Sequence, residues 1–167
     1  ALKKGANYFS KILKTAQVVV MNKEEAMLVT KVQVRPDTKD EKFSNCDIHP
    51  DIITMLKTLK GDTNAIVTIT DGSRGAYCFN GKNIYYCPTY PANVVSTLGA
   101  GDAFSSTFCA TLDKYDWDIE RALCYATVNS ASVCGHFGAQ EGFLTFDELE
   151  EKCKNENCNL CVKKIEI

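Results

Sequence analysis

Short apolar runs alternate along this chain with segments of helical periodicity, and this alternation restricts the possible folds more than any other feature. The runs at 17–21 and 64–70 are typical of strands that are buried on both faces of a sheet. Helical spacing is found at 2–15, 23–28, 51–60, from the glycine-rich segment near 99 to about 113, and at 118–134. This order predicts an α/β layer architecture, with a mostly parallel sheet and flanking helices.

One β-hairpin is predicted within this alternation. The runs 75–79 and 84–86 flank Asn80-Gly81, a dipeptide that favours a tight hairpin turn. The remaining predictions are a polar loop at 34–50, an N-capped final helix from Thr145, and an edge strand at 160–167.

The composition is that of an ordinary globular protein, since 45% of the 167 residues are apolar and 24% are charged. A formal charge of −2 argues against a nucleic-acid polycation, and no apolar run is long enough to span a bilayer. We therefore expect a soluble, cytoplasmic domain, or part of one, with no nucleic-acid and no membrane partner. Because the first residue is Ala1 rather than Met, the gene product need not begin there.

Nine cysteines are present, an odd number that cannot pair completely within the chain. Most of them lie in apolar patterns, which favours reduced thiols acting as small core residues of a cytosolic protein. The alternative is a zinc or redox site made by Cys153 with the C-x-x-C pair Cys158 and Cys161. Structural zinc commonly takes two such pairs, and His136 is the only further candidate ligand nearby in sequence.

The strongest local signal for chemistry is Gly99-Ala100-Gly101-Asp102, at the start of a predicted helix. Two glycines let the backbone approach a ligand closely, and a helix N-terminus adds unpaired N–H groups that suit phosphate. The Asp102 carboxylate would be held ionised there and could accept a proton. A tight turn followed by an acidic first helical turn is the alternative that this short pattern leaves open.

Two further polar segments follow predicted strands. Residues 70–75 carry two glycines directly after one buried strand, and residues 22–25 end another. Ligands of open α/β sheets bind beyond the carboxyl ends of the strands, so the three segments are expected to converge on one site. A plain turn at 70–75 and a plain helix cap at 22–25 are the alternatives.

Together these segments resemble the PfkB/ribokinase-like family of carbohydrate kinases. The segment Val94–Phe108, which contains the glycine-rich start, resembles the second signature of that family. In family order, the other similar motifs are Asn22-x-x-Glu25, Thr70-x-Gly72-Ser73-x-Gly75 and Gly138-Ala139-Gln140. The resemblance implies a ribokinase-like, Rossmann-like fold, of which residues 1–167 would form the C-terminal nucleotide-binding and catalytic part. It also implies that the N-terminal half, which would supply most of the sugar pocket, is absent from this chain.

The implied activity is ATP-dependent phosphorylation of a hydroxyl of a sugar or sugar-like substrate. Asp102 would be the general base, and the amides of Gly99, Ala100 and Gly101 would form the anion hole. Asn22 and Glu25 would organise Mg²⁺ through waters. The residues expected to contact the nucleotide are Thr70, Gly72, Ser73, Gly75 and Gly138.

Two alternatives remain open for the function. One is a nucleoside kinase of the adenosine-kinase type within the same family, and the other is a non-catalytic nucleotide-binding module. The expected partners are a small sugar or nucleoside and the N-terminal half of the same protein, and the resemblance is compatible with a homodimer.

The sequence departs from the family pattern at two places. Ser96 stands where relatives usually carry an Asp that helps to hold a monovalent cation, so we expect little activation by K⁺. The family's adenine-side Asn has no assigned equivalent, since Thr127 matches by its distance to Gly138 and Asn129 lies two residues away.

Overall fold

The computed structural model describes residues 11, 13–35, 48–61, 63–138, 141–154 and 162–166. The chain divides into two compact units, one made of 1–71, 77–86 and 163–167, the other of 72–76 and 87–162. Most of the predicted helix at 2–15 and of the predicted loop at 34–50 lies outside the described residues, although 11 and 13–15 are helical. Cys158, Cys161, Ala139 and Gln140 also lie outside them.

Among the described residues, the first unit is built on a five-stranded sheet with helices packed beside it. The strands follow the order β1-β2-β3-β4-β5. The sheet is mixed, because β1 and β2 pair in parallel and β4 pairs with β5 antiparallel. The elements are β1 (Val18–Asn22), α1 (Lys23–Thr30), α2 (Pro50–Lys60), β2 (Ile66–Thr70), β3 (Ala76–Phe79), β4 (Asn83–Cys87) and β5 (Lys163–Glu166). The predicted α/β architecture and the edge strand near the C-terminus are confirmed.

The core of this unit lies between β2 and α2. Val67 and Ile69 of β2 are completely buried, as are Met55 and Leu56 of α2. All four belong to one apolar cluster. Burial of both faces of β2 explains why its sequence is almost continuously apolar rather than alternating.

The predicted hairpin is formed by the neighbouring strands β3 and β4. The Oδ1 atom of Asn80 accepts hydrogen bonds from the amides of Lys82 at 2.9 Å and Asn83 at 2.8 Å. Gly81 has φ 100°, a conformation that side chains with a Cβ rarely adopt. The hydrogen bonds of the Asn80 side chain and the positive φ of Gly81 therefore both stabilise the turn.

The second unit contains α3 (Ala100–Lys114), α4 (Ile119–Cys134) and α5 (Phe146–Lys154). Helices α3 and α4 pack together, and α5 joins them through an apolar cluster with Tyr125, Val128 and Leu149 at its centre. The predicted cap of α5 is confirmed, because Glu148 donates its amide to Oγ1 of Thr145 and accepts the Thr145 amide at 2.8 Å. Within the described ranges, no helix has both the length and the hydropathy needed to cross a membrane.

Candidate active site

The glycine-rich segment forms the first turn of α3. Gly99 precedes the helix with φ 82° and ψ −8°, a left-handed conformation that favours glycine. The Ala100 amide bonds the Thr97 carbonyl at 3.3 Å, and the Ala103 amide bonds the Gly99 carbonyl at 2.8 Å. In the part of the chain that the structure describes, the amides of Gly101 and Asp102 have no hydrogen-bond acceptor. These N–H groups can therefore donate to an anion.

The space in front of this turn is open. A Cβ built on Gly101 meets no atom within 4 Å, so the fold itself does not require glycine at this position. The Asp102 side chain, at the third helical position, is exposed. The turn thus presents a carboxylate beside two amide donors, which suits general-base chemistry next to a bound anion.

The segment before this turn is attached to the C-terminal end of α4. The carbonyl of Cys134 accepts hydrogen bonds from the amides of Val95 at 2.8 Å and Ser96 at 3.1 Å. Oγ of Ser130 donates to the Ala100 carbonyl at 3.0 Å. Sequence reasoning missed Ser130, because nothing in the local pattern of a helix indicates a contact thirty residues away.

In the first unit, Asn22 and Thr70 are brought side by side. They are the last residues of β1 and β2 and are paired in the register of the parallel strands. Lys23 and Asp71, the residues that follow them, form an ion pair whose side chains are nearly buried. This ion pair was not predicted from the sequence, where its only signal is two opposite charges at equivalent positions after two strands.

Asn22 and Glu25 form a capping box at the start of α1. The helix-cap alternative is therefore correct for both residues, although it does not exclude a second role. Glu25 uses only its Oε2 atom in the cap, which leaves Oε1 for another ligand. One carboxylate and one amide are hard oxygen donors, a set that fits Mg²⁺ held through its waters.

The residues of the second glycine motif are divided between the units. Thr70 ends β2, whereas Gly72 and Ser73 lie in a short 3₁₀ turn of the second unit, followed by Gly75. Gly75 has φ 98°, and a Cβ there would overlap the carbonyl oxygen of Cys87. The fold therefore requires Gly75, whereas a Cβ on Gly72 would meet open space at φ 51°.

Neither Thr127 nor Asn129 is left without a structural role. Asn129 is 3% exposed; its Nδ2 donates to Oγ1 of Thr107 at 2.8 Å, and its Oδ1 accepts the Leu144 amide at 2.9 Å. Thr127 is also buried, and its hydroxyl contacts the sulfur of Cys87 at 3.4 Å. Gly138 is exposed, with φ 103°.

Among the described cysteines, Cys78 and Cys87 are buried as expected of core thiols, whereas Cys124, Cys134 and Cys153 are partly buried and Cys109 is exposed. Burial raises the pKa of Cys78 to about 12, which keeps this thiol protonated at neutral pH. The sulfurs of Cys124 and Cys153 lie 3.0 Å apart, longer than the ~2.05 Å of a disulfide bond. No group of three or more metal-ligating side chains occurs among the described residues, which do not include Cys158 and Cys161. The reduced state remains a prediction.

The family model for pfkB family carbohydrate kinases matches residues 2–145 of the chain. This chain belongs to the PfkB family. The resemblance carried by its four motifs is thus confirmed at the level of the family, while the role of each site residue remains a prediction.

Among its relatives are sugar kinases of bacteria. Ribokinase from Bacillus subtilis (strain 168) is 42% identical over 84 residues, which cover 50% of this chain and 28% of that protein. The 5-dehydro-2-deoxygluconokinase from Clostridium botulinum (strain Eklund 17B / Type B) is 26% identical over 152 residues, covering 90% of this chain and 41% of that protein. The chain therefore spans less than half the length of either relative.

Solved structures with the same fold include other kinases. Ribokinase from Thermotoga maritima matches with a TM-score of 0.65 and 21% identity, over 87% of this chain and 44% of that one. A nucleoside kinase from Methanocaldococcus jannaschii matches with a TM-score of 0.69 and 20% identity, over 90% of this chain and 44% of that one. A candidate ribokinase II from E. coli, in complex with ATP and Mg²⁺, matches with a TM-score of 0.64 and 22% identity, over 87% of this chain and 41% of that one. These matches confirm the ribokinase-like fold.

Proposed function

We propose that the protein containing this chain transfers the γ-phosphoryl group of ATP to a hydroxyl of a sugar or sugar-like substrate. The observation that carries the proposal is the first turn of α3. There, the amides of Gly101 and Asp102 point to no acceptor among the described residues, and the exposed Asp102 carboxylate lies beside them. Membership of a carbohydrate kinase family makes phosphoryl transfer the chemistry that this geometry serves best.

In this proposal, Asp102 removes the proton from the attacking hydroxyl. The new oxygen–phosphorus bond forms as the bond from the γ-phosphorus to the β,γ-bridging oxygen breaks. The amides of Gly99, Ala100 and Gly101 form the anion hole, although the Ala100 amide also bonds Thr97. The anion hole stabilises the charge that develops on the transferred group.

The remaining predicted site residues are assigned to the nucleotide and to Mg²⁺. Thr70, Gly72, Ser73, Gly75 and Gly138 would line ATP, and Asn22 with Oε1 of Glu25 would hold the waters of Mg²⁺. Held there, the metal would supply positive charge that neutralises the phosphates. The E. coli candidate ribokinase II in complex with ATP and Mg²⁺ supports this cofactor pair for the fold.

We further propose that residues 1–167 are the C-terminal, nucleotide-binding and catalytic part of a longer kinase domain. The support is that the chain covers only 40–47% of the solved structures whose fold it shares over 85% or more of its own length. The substrate pocket would then come mostly from the missing part, and the complete protein is the proper subject of activity assays.

A nucleoside acceptor is a second candidate, supported by the fold shared with the M. jannaschii nucleoside kinase. The test is a screen of the complete protein with ATP, Mg²⁺ and a panel of sugars and nucleosides, monitored by ADP release and product mass. We expect one hydroxyl compound to gain a phosphoryl group, with loss of the activity in Asp102→Asn. Binding of ATP without transfer to any acceptor would instead support a non-catalytic module.

A further inference from the structure

We infer that Ser130 is a positioning residue for the anion hole, acting on the glycine-rich turn from the neighbouring helix. Its hydroxyl donates to the carbonyl of Ala100, the first residue of α3, at 3.0 Å. Ala100 stands between the two glycines whose amides would face the transferred phosphoryl group. The inference rests on the proposed function.

The carbonyl of Ala100 belongs to the peptide group that also contains the Gly101 amide. A peptide group is planar, so a hydrogen bond that holds the carbonyl oxygen also fixes the direction of the N–H on its other side. The Gly101 amide has no acceptor among the described residues. Ser130 therefore orients a donor that would be used only when an anion is bound.

A second hydrogen-bonded contact with α4 holds the segment just before the glycine-rich turn. The Cys134 carbonyl, in the last residue of the helix, accepts the amides of Val95 and Ser96. This contact holds the chain before the turn, while Ser130 holds the turn itself. Loss of the Ser130 hydroxyl would thus loosen the Gly101 peptide without releasing the whole segment.

The experiment measures kcat and KM of the complete kinase for Ser130→Ala, with two conservative variants and one control. Ser130→Thr keeps the hydroxyl, and Ser130→Cys keeps the size with a weaker donor. Ser132→Ala is the matched control, since it removes a hydroxyl from the same helix. The structure gives the Ser132 side chain no hydrogen bond among the described residues. Melting temperature is recorded for every variant.

We expect Ser130→Ala to lower kcat about tenfold, because a small misplacement of catalytic groups has large effects on rate, while the KM for ATP changes less than about twofold. Ser130→Thr should restore most of kcat, Ser130→Cys should be intermediate, and Ser132→Ala should match the native enzyme. Unchanged kcat in Ser130→Ala would overturn the inference. So would a loss that follows the melting temperature and is not rescued by Ser130→Thr.

Asp102→Asn is assayed alongside these variants. If it retains full turnover, the general-base role of Asp102 fails, whatever Ser130 does. If the complete native protein transfers phosphate to no acceptor of the panel, the proposed function itself fails. If turnover depends on Asp102 but not on Ser130, only the positioning role is wrong. If Ser130→Ala does not fold, the comparison of Ser130→Cys with Ser130→Thr still decides between the two outcomes.

Discussion

Asn22 and Glu25 cap each other at the start of α1. Oδ1 of Asn22 accepts the Glu25 amide at 2.8 Å, and Oε2 of Glu25 accepts the Asn22 amide at 3.0 Å. The proposed magnesium role therefore falls on residues that the fold already uses. The two roles can be separated, because Gln serves in a capping box as well as Glu does but carries no charge.

Glu25→Gln should raise the Mg²⁺ concentration needed for half-maximal rate more than it raises the KM for the sugar. The melting temperature should change little, since the cap hydrogen bonds are retained. Glu24→Gln is the matched control, because Glu24 is a neighbouring carboxylate of the same helical turn outside the capping box. An unchanged Mg²⁺ titration in Glu25→Gln would leave this residue with the helix cap alone.

Asp102→Asn should slow turnover of the complete protein about 10²–10⁴-fold, the usual contribution of a general base. The fold should remain intact, because the Asp102 side chain is exposed. Asp113→Asn is the control, since it makes the same change at an exposed position near the other end of α3. Undiminished turnover at saturating substrate would refute the assigned role.

Alanine at Gly101 and at Gly75 should have opposite consequences. Gly101→Ala should not lower the free energy of unfolding, because its Cβ meets open space in a helix. It should still lower turnover roughly 10–100-fold, since the methyl group would stand where the anion approaches the amide. Urea unfolding and steady-state kinetics measure the two effects.

Gly75→Ala should instead lower the free energy of unfolding by about 1–3 kcal/mol or more, because φ 98° strains any residue with a Cβ and the Cys87 carbonyl blocks the added atom. A stable Gly75→Ala protein would show that the 72–75 turn can move away from Cys87. A stable but fully active Gly101→Ala protein would contradict the anion hole.

The native enzyme should show little or no activation by K⁺ at constant ionic strength. A dehydrated monovalent cation needs oxygen ligands around it, and Ser96 offers a neutral hydroxyl that already accepts the Leu98 amide at 3.2 Å. Rates in K⁺ are compared with rates in a bulky organic cation for the native protein, Ser96→Asp and Ser96→Ala. We expect only Ser96→Asp to gain a dependence on K⁺. A native enzyme that is already several-fold faster in K⁺ would show that backbone carbonyls suffice.

Asp51 should make the stability of the first unit depend on pH in the acid range. The Arg35 amide donates to its carboxylate at 3.0 Å, the Arg35 side chain donates as well, and together they lower the pKa of Asp51. A lowered pKa in the folded state means that the carboxylate stabilises the protein above its ordinary pKa, about pH 4, and that this contribution is lost as the pH falls through the folded value.

Asp51→Asn should therefore lower the urea midpoint at pH 7, and the difference from the native protein should shrink below about pH 4. Arg35→Gln should have a smaller effect, because it removes the side-chain donors and leaves the backbone amide. A difference that is constant with pH would show that the hydrogen bonds to Asp51 do not favour its charged form.

The features that could be predicted from the sequence are those whose cause is local. Burial on both faces makes β2 continuously apolar, Asn80-Gly81 has the chemistry of its turn, and Thr145 with Glu148 caps α5 within three residues. The glycine-rich start of α3 is of the same kind, since the left-handed Gly99 and the exposed amides follow from adjacent positions.

The contacts that escaped prediction join residues far apart in sequence. Lys23 meets Asp71 only because β1 and β2 pair in a particular register, and Ser130 meets Ala100 only because α4 packs on α3. The approach of Gly75 to the Cys87 carbonyl likewise depends on where two chain segments cross. Periodicity and turn chemistry contain no information on such distances. The contacts that hold the site residues in place are therefore visible only in the tertiary structure.

The pairing of β5 with β4 has a consequence for folding kinetics. Helices α3 and α4 follow each other directly, so their contacts close short loops and are expected to form early. In contrast, Asn83 of β4 can pair with Glu166 only after α3, α4 and α5, which lie between them in the chain, have been placed. Until then, one side of β4 presents unpaired N–H and C=O groups, as an uncovered strand edge does. This edge is where we expect incompletely folded chains to associate with one another.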